Sequence, residues 1–195
     1  MALLLDDGYQ PVAWPLLPDD PVRMETALRN AAFSFDVVIT CGGVSVGEKD
    51  HLPALLTEHG EVYFWKVRMR PGMPVLAGRL GAAHMLCLPG NPVSVLATYL
   101  TLGRRFLDAL QGRIAPRPRS FARLSTAISK KHDRLEFLRG KLQCDACGQW
   151  HVRPNPADGS HRLRAVTESD CLIVVPEGMA HADPGSVLEV LPLQR

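Results

Sequence analysis

Two glycine-bearing segments hold the residues whose types and spacing point to chemistry. Residues 36–50, DVVITCGGVSVGEKD, run five strand-like residues into Gly42 and Gly43, then Ser45, Gly47 and a closing acidic residue, Asp50. Glycines after a strand let backbone N–H groups approach an anion, because no Cβ intervenes and positive φ is allowed. The stretch reads as a floor for a phosphate or another oxyanion, with a plain tight turn as the alternative. It is no Walker A loop, since Glu48 stands where the lysine is required, and no G-x-G-x-x-G is present. The second segment, HMLCLPGNPVSVLATYL at 84–100, passes from a strand through Pro89, Gly90, Asn91 and Pro92 into a helix. Asn91 suits an N-cap and Pro92 a first helical position. The helix start would offer free N–H groups to an anion, and Ser94 a hydroxyl.

Between these lies FWKVRMRPGMP, residues 64–74, in which Lys66, Arg68 and Arg70 alternate. In one strand all three would share a face. Either they form a solvated edge, or Lys66 and Arg70 reach the strand-end cleft and grip a diphosphate or oxyanion. Asp50 caps the following helix or holds Mg²⁺, which binds one or two carboxylates plus phosphate oxygens.

Elements must position these residues, and through about residue 112 strand and helix alternate. PVAWPLL (11–17) reads as extended, 21–34 as a helix, 36–41 as a strand, 51–60 as a helix, and EVYFWKVRM (61–69) as a strand. Strands at 74–80 and 84–88 and a helix at 91–110 complete an α/β unit with a parallel or mixed sheet. The connector QGRIAPRPRS (111–120) is rich in proline and arginine. Short turn-separated segments follow at 121–128, 135–143, 150–155, 161–166, 171–178 and 186–193, the pattern of a small all-β barrel. Two domains are expected, 1–113 and 114–195.

A chain of 195 residues with 46% hydrophobic content is long enough for a core or two. A net charge of +2 without a clustered basic patch argues against nucleic acid. The apolar MALLL is far short of a membrane span and lacks export-signal features. Five irregularly spaced cysteines fit a reducing compartment, with the cytoplasm as the default. Cys144 and Cys147, with His151, make an incomplete zinc set, and the stretch reads rather as a hairpin turn. Cys41 and Cys87 read as buried fillers, Trp14, Trp65 and Trp150 as packing, and the scattered histidines as structural.

GGVSVGEKD, FWKVRMRPGMP and LPGNPVS, in that order and spacing, resemble the molybdopterin molybdenumtransferases, the MoeA family, to which the C-terminal domain of gephyrin also belongs. EFLRGKL, GSHRL, CLIVVPEG and PGSVLEVLPL resemble that family's small C-terminal barrel. The resemblance implies a molybdopterin-binding-like three-layer α/β domain with a mixed sheet, followed by the barrel. It implies insertion of molybdate into adenylylated molybdopterin with release of AMP, assisted by Mg²⁺ or a similar divalent cation. By position, Gly42, Gly43, Ser45 and Gly47 would line the pterin nucleotide site, Asp50 would handle metal or molybdate, and Lys66 and Arg70 match basic positions. Pro89, Gly90, Asn91, Pro92 and Ser94 would form the second anion loop, and Ser160 would face the cleft from the barrel. A molybdopterin adenylyltransferase is the implied pathway partner and a homodimer the implied assembly.

Two departures stand out. Met73 replaces a lysine common in the family's KPGKP. The family's N-terminal domains and a strand ending in a TGDEL-type loop are not in this sequence, so a truncated form with reduced or no activity is expected. A gephyrin-type scaffold module and a related adenylyltransferase are the rival expectations.

Overall fold

The computed structural model describes residues 1–45, 47, 50–155 and 168–193. A short helix α1 (Ala2–Asp6) precedes α2 (Pro21–Ser34). Asp20 caps α2 by accepting a bond from the Arg23 amide at 2.8 Å, and Pro21 takes the first position, where its missing N–H costs nothing. Next come β1 (Val37–Cys41), α3 (Leu52–His59), β2 (Glu61–Trp65), β3 (Met69–Arg70), β4 (Leu76–Leu80) and β5 (Ala83–Leu88). A helical run of α4 (Pro92–Thr98), a π-helical turn (Tyr99–Gly103) and α5 (Arg104–Leu110) closes this half.

The first sheet has the order β1-β5-β4-β2, with β1 and β5 parallel and the other pairs antiparallel. Side-chain alternation divides it between two cores. Ala83, Met85 and Cys87 of β5 pack with Met24 and Leu28 of α2 and Leu52 and Leu56 of α3. Leu86 and Leu88, from the same strand, pack instead with Ala97, Leu100 and Leu107 of the C-terminal helical run. Helices thus cover both faces, which makes three layers, and each buried leucine contributes roughly 1.5–3 kcal/mol.

The second half comprises β6 (Ser120–Leu124), β7 (Ile128–Ser129), β8 (Leu135–Cys144), β9 (Trp150–Pro154), β10 (Cys171–Val175), β11 (His181–Ala182) and β12 (Val187–Pro192). Pairings β8–β10, β10–β12, β12–β6, β6–β9 and β9–β8 return to their start, so five strands form a closed barrel without an open edge. The interior is tight at Gly140, where a Cβ would lie 2.8 Å from Val152 and 2.9 Å from Ile173.

Three contacts join the halves. Phe137 and Leu172 of the barrel share a core with Met69, Leu100 and Leu107. β3 pairs in parallel with β8, Met69 opposite Leu135 and Arg70 opposite Glu136. At the other end, the fully buried Asp7 carboxylate accepts bonds from Tyr99 Oη and Arg104 Nε, both at 2.8 Å, and from Arg117 Nη1 at 3.3 Å. Arg117, in the connector, also grips Asp108 through two bonds of 2.7 and 2.9 Å. This network ties α1, the helical run and the connector together.

The structure corrects an expected element that bears on the site. Residues 61–69 are not a single strand: β2 stops at Trp65, and Lys66 adopts φ +69°, the one non-glycine positive φ among the described residues. The alternation of Lys66, Arg68 and Arg70 therefore does not place them on one face.

Candidate functional site

The site is built where β1 and β5 end side by side, Cys41 opposite Leu88. Gly42 donates to the Leu88 carbonyl at 2.9 Å with φ +101°, and Gly43 follows at φ +72°, so both need a residue without a Cβ. The two glycine loops touch: a Cβ on Gly90 would lie 3.5 Å from the Gly42 Cα. Within the described residues, no hydrogen bond takes up the amides of Gly43, Ser45, Gly90 or Asn91. Unengaged amides beyond the carboxyl ends of strands are the donors an oxyanion would use.

The start of α4 behaves differently from the sequence expectation. Asn91 is the N-cap as expected, but its Oδ1 accepts from Val93 at 2.9 Å and Ser94 at 3.4 Å. Val95 donates to the Asn91 carbonyl, and Pro92 has no N–H. The first turn thus keeps its amides for itself, and Ser94 is buried. Any anion is left to the loop amides before the helix.

Asp50 does not cap α3, whose N-cap is His51. Its Oδ2 accepts from the Gly47 amide at 2.9 Å while its own amide donates to the Gly47 carbonyl at 2.9 Å. This reciprocal turn holds the carboxylate in a shallow, open depression, which we call the cavity, with Ser45, Gly47, Glu58 and Trp65.

Trp65 is not packing in the expected sense. It is 39% exposed, lines the cavity and donates its indole N–H to the carbonyl of the buried Val44 at 3.0 Å. Lys66 Nζ sits 4.2 Å from the Trp65 ring centroid, a cation–π contact. The strained Lys66 backbone is pinned by its amide bond to Val75 at 3.0 Å. The cue available in the sequence was an aromatic residue next to a lysine, which periodicity cannot tell from a core position.

Arg68 and Arg70 turn to the barrel. Arg68 pairs with Asp133 at 2.6 Å, and Arg70 Nε lies 3.7 Å from Glu136, which His132 also approaches at 3.4 Å. Arg70 is not among the cavity's lining residues. Arg134 reaches the loop from the barrel, 4.0 Å from Met73 Sδ. Ser160 lies outside the described residues. Cys41 is exposed rather than a buried filler, whereas Cys87 is buried and its thiol pushed up to about 11 by burial. Cys144 ends β8 and Cys147 lies in the β8–β9 hairpin turn, in which Asp145 accepts from the Cys147 and Gln149 amides and meets His151 at 2.9 Å. Trp14 stacks edge-on against Phe35, yet it and Trp150 stay 42% and 48% exposed.

A family model described as the probable molybdopterin binding domain matches residues 1–109, and one for the MoeA C-terminal region, domain IV, matches residues 122–193. The chain belongs to the MoeA family. A molybdopterin molybdenumtransferase of Haemophilus influenzae is 38% identical over 179 residues, 91% of this chain and 44% of that protein. Molybdopterin molybdenumtransferase 2 of Mycobacterium tuberculosis is 33% identical over 199 residues, 98% of this chain and 48% of the relative. The crystal structure of a MoeA protein from Pyrococcus horikoshii superposes with a TM-score of 0.73 at 26% identity, over 91% of this chain and 42% of that one. This MoeA-family chain thus spans about half the length of the curated relatives it matches.

Proposed function

We propose that this chain provides the nucleotide- and oxyanion-binding site of a molybdopterin molybdenumtransferase, which inserts molybdate into adenylylated molybdopterin and releases AMP. The observation that carries the reading is the pair of abutting glycine loops with unengaged amides, the first of which holds the Asp50 carboxylate through Gly47. In this reading Gly42, Gly43, Ser45 and Gly47, with Pro89, Gly90 and Asn91, cradle the phosphates. Pro92 and Ser94 set the helix start that holds the second loop in place. Lys66 supplies positive charge next to Trp65, Arg70 is a candidate held toward the barrel by Glu136, and Ser160 is a further candidate from the second half.

Asp50 suits a divalent cation only in part. One oxygen is engaged by Gly47, and among the described residues no group of three His, Cys, Asp or Glu side chains is arranged to hold a metal. Mg²⁺ accepts such a sparse protein set when phosphate oxygens and water complete its shell. Bound there, it would neutralise charge on the phosphates. Asp50 would hold it, and Gly47 would orient that carboxylate.

The wider setting belongs to the same proposal. The boundary between the halves is placed at 113/114, after α5 and before β6. Among the described residues no helix is long and apolar enough to cross a membrane. A cytoplasmic location, a homodimer and a molybdopterin adenylyltransferase as supplier of the substrate complete the reading.

Calorimetry with adenylylated molybdopterin, with and without Mg²⁺, tests it on the wild type, Asp50→Ala and Lys66→Ala. Binding that Mg²⁺ strengthens and both substitutions weaken is expected. Wild-type affinity unchanged in both variants would overturn the assignment of the site.

A further inference from the structure

We infer that Trp65 is the stacking surface for the flat fused-ring heterocycle of the ligand, on the indole face that Lys66 leaves open. This rests on the reading of the strand-end loops as a phosphate site and goes beyond it, by assigning a residue to the ring rather than to the anion.

The lining mixes polar groups, Ser45, Gly47, Thr57 and the Asp50 and Glu58 carboxylates, with apolar ones, Pro53, Ala54 and the Trp65 ring. A phosphate alone needs no apolar wall, whereas a nucleotide or pterin phosphate has a flat ring to bury and an anionic end to neutralise. Trp65 is as exposed as many surface aromatics, but its orientation is locked. Its N–H is committed to the carbonyl of Val44, which is 1% exposed and part of the glycine loop itself. A fixed indole loses little freedom when a ring settles on it, which favours stacking. Lys66 Nζ lies over one face of that indole, 4.2 Å from the ring centroid, so the ligand ring stacks on the opposite face with a cation close by. No ion pair engages that ammonium among the described residues.

Adenine and pterin both fit this chemistry, and two probes separate them: AMP and 6-hydroxymethylpterin monophosphate, each compared with inorganic pyrophosphate. In a Trp14→Phe, Trp150→Phe background, Trp65 is the sole indole. The ring-bearing probe that occupies the site quenches its emission, and far more strongly than pyrophosphate does. Trp65→Leu then weakens that probe about tenfold, Trp65→Phe retains most of the affinity, and pyrophosphate binds all three alike. Equal loss in Trp65→Phe and Trp65→Leu, for pyrophosphate as well, would overturn the inference and leave Trp65 as a mere anchor for Val44. Ring-bearing probes that bind without quenching, or bind Trp65→Leu as well as wild type, would overturn it while the anion site stands. A wild type that binds none of the three probes would sink the anion-site reading, and this inference with it.

Discussion

At the scale of single residues, the site depends on atoms that are absent as much as on those present. A methyl group on Gly47 would sit 2.9 Å from Asp50 Oδ2 and displace the carboxylate from the amide that orients it. Gly47→Ala is therefore expected to abolish the Mg²⁺-dependent gain in ligand affinity while leaving the melting temperature nearly unchanged. Calorimetry with and without Mg²⁺, paired with a thermal scan, checks both parts. Lys66 offers a sharper test because its left-handed backbone, at φ +69°, costs a non-glycine residue about 1 kcal/mol. Lys66→Gly should be more stable than Lys66→Ala by about that amount, by urea denaturation, although both lose the charge. Equal stability would mean that the strain is relieved by local rearrangement.

The elements carry a second layer of the argument, since each loop is held by the helix that follows it. Asn91 closes the first turn of α4 through the Val93 and Ser94 amides, so Asn91→Ala removes a cap worth about 1 kcal/mol. The freed amides would then compete for the anion. Chemical denaturation should show the loss, and pyrophosphate affinity should not fall with it. The turn after β3 is bound more tightly to its surroundings. Gly72 has φ +108°, and a Cβ there would lie 2.5 Å from Thr98 Cγ2 of α4. Gly72→Ala combines a disfavoured backbone with overpacking and should cost about 2–4 kcal/mol, measured as a fall in the urea midpoint.

Across the whole molecule, the Asp7 network makes stability depend on pH. Burial pushes the Asp7 pKa up, but the hydrogen bonds from Arg104 and Tyr99 and the charges of Arg104 and Arg117 outweigh it, and the carboxyl ends below its ordinary value. For Asp108 the Arg117 hydrogen bond dominates against burial, and its value is lowered too. A carboxyl that binds protons less readily when folded stabilises the fold above its unfolded value of about 3.9. That stabilisation is complete by about pH 5 and is lost as pH falls through the lower folded values. Melting temperature should hence drop steeply below pH 5 in the wild type. Asp7→Asn, which leaves Arg104 without its carboxylate while Arg117 keeps Asp108, should lose about 3 kcal/mol at pH 7 and show a shallower acid slope.

Much of this architecture was legible in one sequence. Pro21, Gly60 and the Asn91-Pro92 pair marked helix limits that the structure keeps, because capping is a local contest between a side chain and the next few amides. The strand–helix alternation and the turn-rich second half pointed to the two architectures, since burial on one face or two imposes the period. Motif resemblance named the family that the comparisons then bore out. Only the tertiary structure decided which side chains meet. The break at Lys66 depends on the Val75 carbonyl nine residues on, and the fate of Arg68 and Arg70 on carboxylates 65 and 66 positions away. Trp65 became a cavity wall only when its indole found Val44, a contact across 21 positions. Local pattern determines what an element is; where its polar atoms end up is set by partners distant in the chain, which no short window of sequence contains.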